Sequence, residues 1–296
     1  MEKLNYKKEK NSRGFISTTP LPDEALLKSF YRDLYYQAPE SSSYQIEYAD
    51  IEIKYKKLKF NTIIYAIQKE CEESGKFLDI GAGEGFLMQA AHQHGFSVTG
   101  IDFSNFGVGK FNPEMSEFLK MGDVYGVLDE LIEKEEKFTA ISAVNVLEHV
   151  LDPDLFFQKI KCVLEPKGII SITVPNDFSD LQNLALSHGF IDREFWFAPP
   201  AHLHYFNTKN LPEYCNSQGF KVVDSFSDFP IDIFLFHPKS NYVMDPKNGS
   251  DSHRARMLLD LLIYKQGIDK YLAFYRSMFE VGIGRDITVL LKFNNV

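Results

Sequence analysis

The stretch that decides the fold is Phe77-Leu78-Asp79-Ile80-Gly81-Ala82-Gly83-Glu84-Gly85. Its first four residues are mainly apolar and predict a strand, and the next five predict a tight glycine turn. A helical pattern follows from Phe86 to a stop at Gly95. Strand, glycine turn and helix form the first unit of a nucleotide-binding α/β fold. The glycines let the backbone turn and let a ligand approach it closely, and the helix N-terminus favours a negatively charged group.

The spacing of the glycines narrows the choice of nucleotide ligand. A dinucleotide fingerprint has a glycine where Phe86 stands, which argues against an NAD-dependent enzyme. The pattern is Gly-x-Gly-x-Gly, with Asp79 two residues before the first glycine. It resembles motif I of the class I S-adenosylmethionine (SAM)-dependent methyltransferases. From the residues alone, a turn that merely joins a strand to a helix stays open.

Composition sets limits on the class of protein. The chain has 296 residues, 44% of them hydrophobic, enough for one large domain or for a core with additions. Its formal net charge is −9. An acidic chain without a long Lys/Arg run is a poor candidate for nucleic-acid binding, because that affinity depends on neutralising phosphates.

Cysteine usage and apolar runs indicate a compartment. Cys71, Cys162 and Cys215 are odd in number and widely separated, so they predict reduced thiols rather than a disulfide framework or a metal knuckle. No apolar run reaches the length of a membrane span, and the charged N-terminus does not read as a secretory signal. We therefore predict a cytoplasmic protein with no membrane span.

From Lys76 the pattern alternates between strand and helix, which predicts an α/β fold with a parallel sheet covered on both faces. One predicted helix begins at Pro153 with Asp152 as its cap. The seven predicted strands match the number in the methyltransferase family, whose Rossmann-like sheet is parallel except for an antiparallel seventh strand. They are Lys76–Ile80, Ser97–Asp102, Glu117–Met121, Phe138–Val144, Gly168–Val174, Phe220–Ser225 and Asp286–Phe293.

The chain divides into four predicted segments. Residues 1–60 form an N-terminal arm and helical cap, with a loose arm to about residue 20, a helix from Leu21 to Leu34 and another over Ala49–Glu73. Residues 61–228 form the SAM-binding core. Residues 229–284 are an insertion that acts as a lid or an oligomerisation element, with a strand-like piece at Phe229–Phe236 and helices over Ala255–Phe279. Residues 285–296 are the last strand.

Acidic residues after two strands are candidate cofactor ligands. Asp102 ends the second strand, where a carboxylate can accept hydrogen bonds from ribose hydroxyls or can cap a helix. Asp123 follows the third strand and is equally typical of a turn. The family resemblance implies that the adenine lies against Asp123 and Val124. With the glycine turn, it implies a cofactor site formed by Asp79, Gly81, Ala82, Gly83, Gly85, Asp102, Phe103, Asp123, Val124 and Asn145.

Residues 138–153 read FTAISAVNVLEHVLDP. They resemble the stretch that ends the fourth strand in the small-molecule branch of the family, including ubiquinone-pathway O-methyltransferases and bacterial sugar methyltransferases. The resemblance places Asn145 beside the methionine part of SAM. Glu148 and His149 could bind a divalent cation, as in some relatives. We favour a hydrogen-bonded pair and predict no metal, because only one histidine and one acid are local.

Two further histidines lie in Ala198-Pro199-Pro200-Ala201-His202-Leu203-His204-Tyr205-Phe206, which resembles the family's stretch after the fifth strand. If this stretch is extended, His202 and His204 project to the same side. A neutral imidazole is suited to remove a hydroxyl proton near pH 7. We predict His202 as the general base, with His204 and His149 as alternatives, and a core or surface role for these histidines as the rival interpretation.

The sequence thus predicts a SAM-dependent methyltransferase that yields S-adenosylhomocysteine (SAH). The predicted acceptor is a hydroxyl of a sugar, nucleotide-sugar or surface-glycan precursor, because the C-terminal stretch resembles bacterial enzymes of polysaccharide biosynthesis. N- or C-methylation of a sugar, O-methylation of a quinone-like phenol, and a non-catalytic SAM-binding partner protein stay open. The expected partner is the small-molecule acceptor, with no nucleic acid, and a homodimer is one option for assembly.

Overall fold

The computed structural model describes residues 5–23, 25–27 and 47–294. The strands are β1 (Lys7–Lys10), β2 (Ile16–Thr19), β3 (Lys76–Ile80), β4 (Ser97–Asp102), β5 (Leu119–Met121), β6 (Phe138–Val144), β7 (Leu164–Pro175), β8 (His204–Tyr205), β9 (Phe220–Ser227) and β10 (Asp286–Phe293). The α-helices are α1 (Asp50–Glu70), α2 (Phe86–Gln93), α3 (Phe106–Phe111), α4 (Val124–Glu133), α5 (Pro153–Val163), α6 (Asp180–Ser187), α7 (Asn210–Ser217), α8 (Gly249–Tyr264) and α9 (Ile268–Glu280). Within the described ranges, the helices are too short or too polar to cross a bilayer.

Seven strands form the central sheet in the order β5-β4-β3-β6-β7-β10-β9. Strand β10 is antiparallel to both of its neighbours, and β3, β4, β5, β6 and β7 run parallel. Along the chain, β4 and β5 are added on one side of β3, and β6 and β7 then follow on its other side. A crevice forms where the order reverses, at the carboxyl ends of these strands. The predicted Rossmann-like sheet with an antiparallel seventh strand is confirmed.

The central strands are apolar along their length because both faces of the sheet are covered. On one face, Leu78, Ile141 and Ile172 are fully buried in a core shared with α4 and α5. On the other face, Phe77 and Ala140 pack in a second core with residues of α1, α2 and α9. This packing fixes the register of the strands and therefore the position of the loops at their carboxyl ends.

Most element boundaries match the sequence expectations. Strands β3, β4, β6 and β10 have the predicted bounds. Strand β5 begins later than predicted because Pro113–Phe118 forms a 3₁₀ helix. The predicted helix cap is confirmed: the Asp152 carboxylate accepts a hydrogen bond from the Leu155 N–H at 3.0 Å. Helix α1 ends at Glu70 rather than at Glu73.

Two expectations are wrong. The segment predicted as a loose arm contains the β1–β2 hairpin, which β8 extends into a three-stranded sheet by pairing Ile16 with Tyr205. The stretch predicted as a strand over Phe229–Phe236 contains a 3₁₀ helix at Ile231–Phe236, because the chain leaves the sheet after β9. The helix predicted from Leu21 to Leu34 lies largely outside the described residues; residues 25–27 are helical.

Candidate active site

The glycine turn after β3 has the geometry that its sequence predicts. Gly81, Gly83 and Gly85 have φ angles of +74°, +56° and +78°, in the left-handed region that favours glycine. A Cβ atom at Gly81 would lie 2.5 Å from Val146 Cγ2. The Gly81 and Ala82 N–H groups donate to the Ile101 carbonyl at 2.8 and 3.0 Å, which fixes the turn against β4. The turn therefore presents bare backbone at the crevice.

Asp102 lies at the carboxyl end of β4 and is buried. Its Oδ2 accepts from the Gly83 N–H at 2.8 Å, and its Oδ1 accepts from the Ser104 N–H at 3.0 Å. The N-cap position of α3 belongs to Asn105, so Asp102 does not cap that helix. Its carboxylate instead joins the glycine turn to the loop after β4. Burial, and then the charge of Asp102, raise the pKa of Asp79 to about 8.

The remaining predicted cofactor residues line the same edge of the sheet. The Asp123 Oδ2 accepts from the Gly126 N–H at 3.0 Å and caps α4, which Val124 begins. Asn145 follows β6 with a φ of +54°, and its N–H donates to the Thr173 carbonyl at 2.8 Å. Phe103 is 47% exposed. All of these residues lie at or after the carboxyl ends of parallel strands, so the fold brings them to the edge of the sheet where such folds bind their ligands.

A cavity of about 270 Å³ with both polar and apolar groups in its lining borders Asn145. It lies over the ends of β6, β7, β9 and β10, and α1, α8 and α9 contribute to its walls. Its lining mixes aromatic rings with groups that donate and accept hydrogen bonds. These residues include Tyr48, Glu52, Tyr55, Lys56, Lys59, Phe60, Asn145, Thr173, Phe226, Asp228, His253, Arg256, Tyr271, Asp286 and Thr288.

Two lysines of α1 connect this cavity to the rest of the site. Lys59 Nζ lies 2.8 Å from Asp228 Oδ2 and 3.0 Å from Asp286 Oδ2. Lys56 Nζ lies 2.8 Å from Glu84 Oε2, and Glu84 belongs to the glycine turn. Both lysines thus bind carboxylates of the site, because this face of α1 covers the sheet.

A histidine cluster lies beyond the end of β6. The rings of His149 and His202 meet edge to face at 5.0 Å between centroids, and the His149 Nδ1 lies 2.5 Å from the Ala201 carbonyl oxygen. His202 Nδ1 lies 3.7 Å from Asp177 Oδ2, which is beyond hydrogen-bond distance. Asp177 in turn accepts from the Arg285 guanidinium at 2.7 Å. The fold thus brings together two of the three predicted histidines.

Glu148 joins the same cluster and is fully buried. Both of its carboxylate oxygens lack a hydrogen-bond partner among the described residues, and burial raises the pKa of this carboxyl well above its ordinary value. Burial, and then the charge of His202, lower the pKa of His149 to about 3, so the imidazole is neutral near pH 7. Glu148, His149 and His202 each place one potential ligand atom within 4.8 Å of the others.

His204 has a different environment from His202. Its Nδ1 lies 2.9 Å from Ser17 Oγ and its Nε2 lies 3.0 Å from the Val150 carbonyl oxygen, and its side chain is buried. The two histidines do not share an extended segment, because β8 begins only at His204. Both ring nitrogens of His204 are engaged in joining β8 to β2 and to the loop after β6. Its contacts are those of a structural residue and do not fit a catalytic base.

Sequence reasoning missed the residues that the insertion contributes. His253 and Arg256 of α8 and Tyr271 of α9 line the cavity, although each is distant in sequence from every recognised motif. The aromatic residues before His202 form a separate core, in which Trp196 is buried with Phe195 packed against it. No local pattern distinguishes Arg256 from its exposed neighbour Arg254; only the packing of α8 against α1 does.

Fold and site together define the class: this is a class I SAM-dependent methyltransferase domain. A family profile described as a methyltransferase domain matches residues 54–225, more than half of the chain. The chain belongs to that family.

Relatives of known name support the same class. A stretch of 108 residues is 32% identical to a ubiquinone biosynthesis O-methyltransferase of Rhodopseudomonas palustris and covers 36% of this chain and 42% of that protein. The enzyme of the same name from Coxiella burnetii is 26% identical over 184 residues, covering 59% of this chain and 74% of its own. The chain thus spans less than half the length of the Rhodopseudomonas relative.

Solved structures of low sequence identity also resemble this chain. A SAM-dependent methyltransferase from Archaeoglobus fulgidus has a TM-score of 0.48 at 16% identity, covering 82% of this chain and 100% of its own. Magnesium protoporphyrin IX methyltransferase from Synechocystis, solved with bound SAH, has a TM-score of 0.48 at 12% identity, covering 69% of this chain and 92% of its own.

Proposed function

We propose that this protein transfers the methyl group of SAM to a hydroxyl of a sugar, nucleotide-sugar or surface-glycan precursor. The observation that carries the proposal is the cavity beside Asn145, whose lining includes many hydrogen-bonding side chains. Donor and acceptor groups alternate with aromatic rings in its walls, as a polyhydroxylated ligand requires. A largely apolar phenol would leave the Tyr55 hydroxyl and Arg256 Nε, which are buried without a partner among the described residues, unsatisfied at a cost in free energy.

The cofactor site in this proposal consists of the residues at the glycine-turn edge. The backbone of Gly81 and Gly83 admits the nucleoside and the Asp102 carboxylate accepts from its ribose hydroxyls, while Asn145 lies at the methionine end, next to the acceptor cavity. SAM supplies a methyl group on a positively charged sulfur. The chain holds the acceptor oxygen in line with that methyl carbon, since alignment provides much of the rate.

The proton of the acceptor hydroxyl must leave as the oxygen attacks the methyl carbon and the bond from carbon to sulfur breaks. We assign its removal to His202, whose imidazole faces the Asp177–Arg285 ion pair. The buried Asp177 carboxylate stabilises the imidazolium that forms. Burial opposes ionisation of Asp177, but Arg285 and His202 hold its pKa below the ordinary value.

The cluster of Glu148, His149 and His202 also offers the donor set of a divalent cation site. The carbonyl of Ala201 orients the His149 ring as carbonyls orient metal-binding imidazoles. Our proposal assigns proton removal to His202 without a metal. Activity should therefore survive dialysis against EDTA; activity that is lost on dialysis and restored by Mg²⁺ or Zn²⁺ would contradict this assignment.

The first experiment is isothermal calorimetry with SAH, followed by NAD. We expect SAH binding and no response to NAD. Asp102→Ala should weaken SAH binding roughly tenfold to hundredfold, because it removes charge-assisted hydrogen bonds. Asp251→Ala, an exposed acid on α8, serves as the control with unchanged affinity. No SAH binding by the folded wild-type protein would overturn the proposal.

A quinone-like phenol is the second candidate acceptor, favoured by the similarity to ubiquinone biosynthesis O-methyltransferases. Transfer of labelled methyl groups from SAM to nucleotide sugars and to catechols in parallel separates the two. Transfer only to catechols would support the second candidate, and N- or C-methylation of a sugar would appear in the product structure. SAH binding with no transfer to any acceptor class would favour a non-catalytic SAM-binding partner protein.

The segment boundaries, assembly and location belong to the same proposal. We propose residues 61–228 as the SAM-binding core and residues 229–284 as a lid, because α8 and α9 contribute to the walls of the acceptor cavity. The three cysteines are free, in keeping with a reducing cytoplasm. Sedimentation of the purified protein tests the homodimer.

A further inference from the structure

Arg256 has an unusual environment in the wall of the acceptor cavity. Its guanidinium lies 5.3 Å from the centroid of the Tyr55 ring, and Nη2 lies 2.8 Å from His253 Nδ1. Among the described residues, its buried Nε has no hydrogen-bond partner. The buried hydroxyl of Tyr55, on the same cavity wall, likewise has no partner within the described ranges. The cavity thus contains two buried polar groups that a ligand could satisfy.

Arg256 forms no direct ion pair with a carboxylate in the part of the chain that the structure describes. Within the described residues, no carboxylate oxygen lies within 4.0 Å of its guanidinium nitrogens. The acids around it are engaged elsewhere: Asp228 and Asp286 bind Lys59, and Asp260 accepts from the Tyr275 hydroxyl. Arg256 is half-buried, and a cation that loses part of its hydration is normally paired. A ligand oxyanion would complete the pairing of Arg256.

His253 supports this arrangement. Burial, and then the charge of Arg256, lower the pKa of His253 to about 4, so the ring is neutral near pH 7. A neutral His253 accepts the Nη2–H at Nδ1 and adds no charge of its own. Lys56 and Lys59 are already paired with carboxylates. Among the described residues that line the cavity, Arg256 is thus the cation left for a ligand.

We infer that Arg256, with the Tyr55 hydroxyl, binds an oxyanion of the acceptor, a carboxylate or a phosphate. The inference rests on the proposed function and narrows it to acidic or phosphorylated sugars. A guanidinium offers adjacent donors in a planar fork, which suits carboxylate and phosphate oxygens better than single hydroxyls. The insertion that carries α8 accordingly determines acceptor specificity.

The test uses the SAH-loaded full chain and three hexoses as probes: glucose 6-phosphate, glucuronate and neutral glucose, at equal ionic strength. Calorimetry should show at least about tenfold tighter binding of one anionic hexose than of glucose. A preference between the two anions identifies phosphate or carboxylate. Arg256→Gln should remove the preference, Arg256→Lys should retain part of it, and Arg254→Gln, an exposed match on the same helix, should retain all of it.

The outcomes separate the two proposals. Retained SAH binding by Arg256→Gln shows that this variant is folded. If SAH binds the wild-type protein but glucose binds as tightly as both anions, or Arg256→Gln keeps the preference, the inference is overturned and the proposed function stands. Failure of the wild-type protein to bind SAH overturns the proposed function itself.

Discussion

The proposed base His202 differs from its neighbour His204, whose two ring nitrogens are both engaged in hydrogen bonds. We predict that His202→Gln lowers methyl transfer by about 10²–10⁴-fold, the range for loss of a general base, while SAH affinity measured by calorimetry stays unchanged. The exposed His188→Gln is the control and should keep full activity. Wild-type turnover by His202→Gln would exclude this imidazole as the base.

His204 makes the folded state sensitive to acid. Burial lowers its pKa to about 4, from about 6.5 in an unfolded chain, so below pH 6.5 the unfolded state binds a proton that the folded state excludes. The contribution of His204 to the free energy of unfolding is complete above pH 6.5 and falls by about 3 kcal/mol as the pH drops to 4.

The measurement compares the free energy of unfolding of the wild-type protein and of His204→Gln, in urea, from pH 7.5 to 4. The wild-type advantage should shrink as the pH falls, while other titrating groups, common to both proteins, cancel. An advantage that stays constant over this range would contradict a neutral, buried His204.

At the scale of elements, α1 is attached to the sheet through charge as well as through its apolar face. Lys59 lies between Asp228 at the end of β9 and Asp286 at the start of β10. Lys59→Met should lower the free energy of unfolding by about 3 kcal/mol, because it leaves two carboxylates without their cation. Chemical denaturation measures this change, and Lys57→Met, at an exposed position, is the control whose change should be near zero. Equal stability of both variants would show that the bridge is not stabilising.

The insertion shows how an element can change function without changing the fold. Helices α8 and α9 separate at Gly267, whose φ is +104°; α9 packs against β9, and α8 packs against α1. This placement brings His253 and Arg256 to the wall of the cavity. Under the proposed function, acceptor choice can therefore vary through α8 while the predicted SAM-binding residues stay the same.

For the whole molecule, stability should be unequal between its two sheets. Strand β6 is central and largely buried, whereas all four residues of β1 are exposed. Amide hydrogen exchange by mass spectrometry should therefore show β6 opening only with global unfolding and β1 exchanging at least about a hundredfold faster. Equal protection of β1 and β6 would mean that the small sheet unfolds only with the core.

The strands of the central sheet could be predicted because their signals are local. Continuous apolar runs in β3, β6 and β10 gave the observed bounds, and Asp152 before Pro153 marked the start of α5. The β1–β2 hairpin was missed because its residues are polar and its third strand, β8, comes from almost 190 residues later. Pairing over such a distance leaves no trace in local periodicity.

The sequence by itself determined the class, because glycine turns and strand-end acids act through local backbone geometry: Gly81, Gly83 and Asp102 lie at the predicted edge. Tertiary structure alone decided which histidine is structural, since His202 and His204 differ only in what packs around them. Tertiary structure also forms the proposed acceptor cavity, which Lys59, Asp286 and Arg256 line from three distant segments of the chain. Charges that converge through packing are set by the fold as a whole, and no single stretch encodes them.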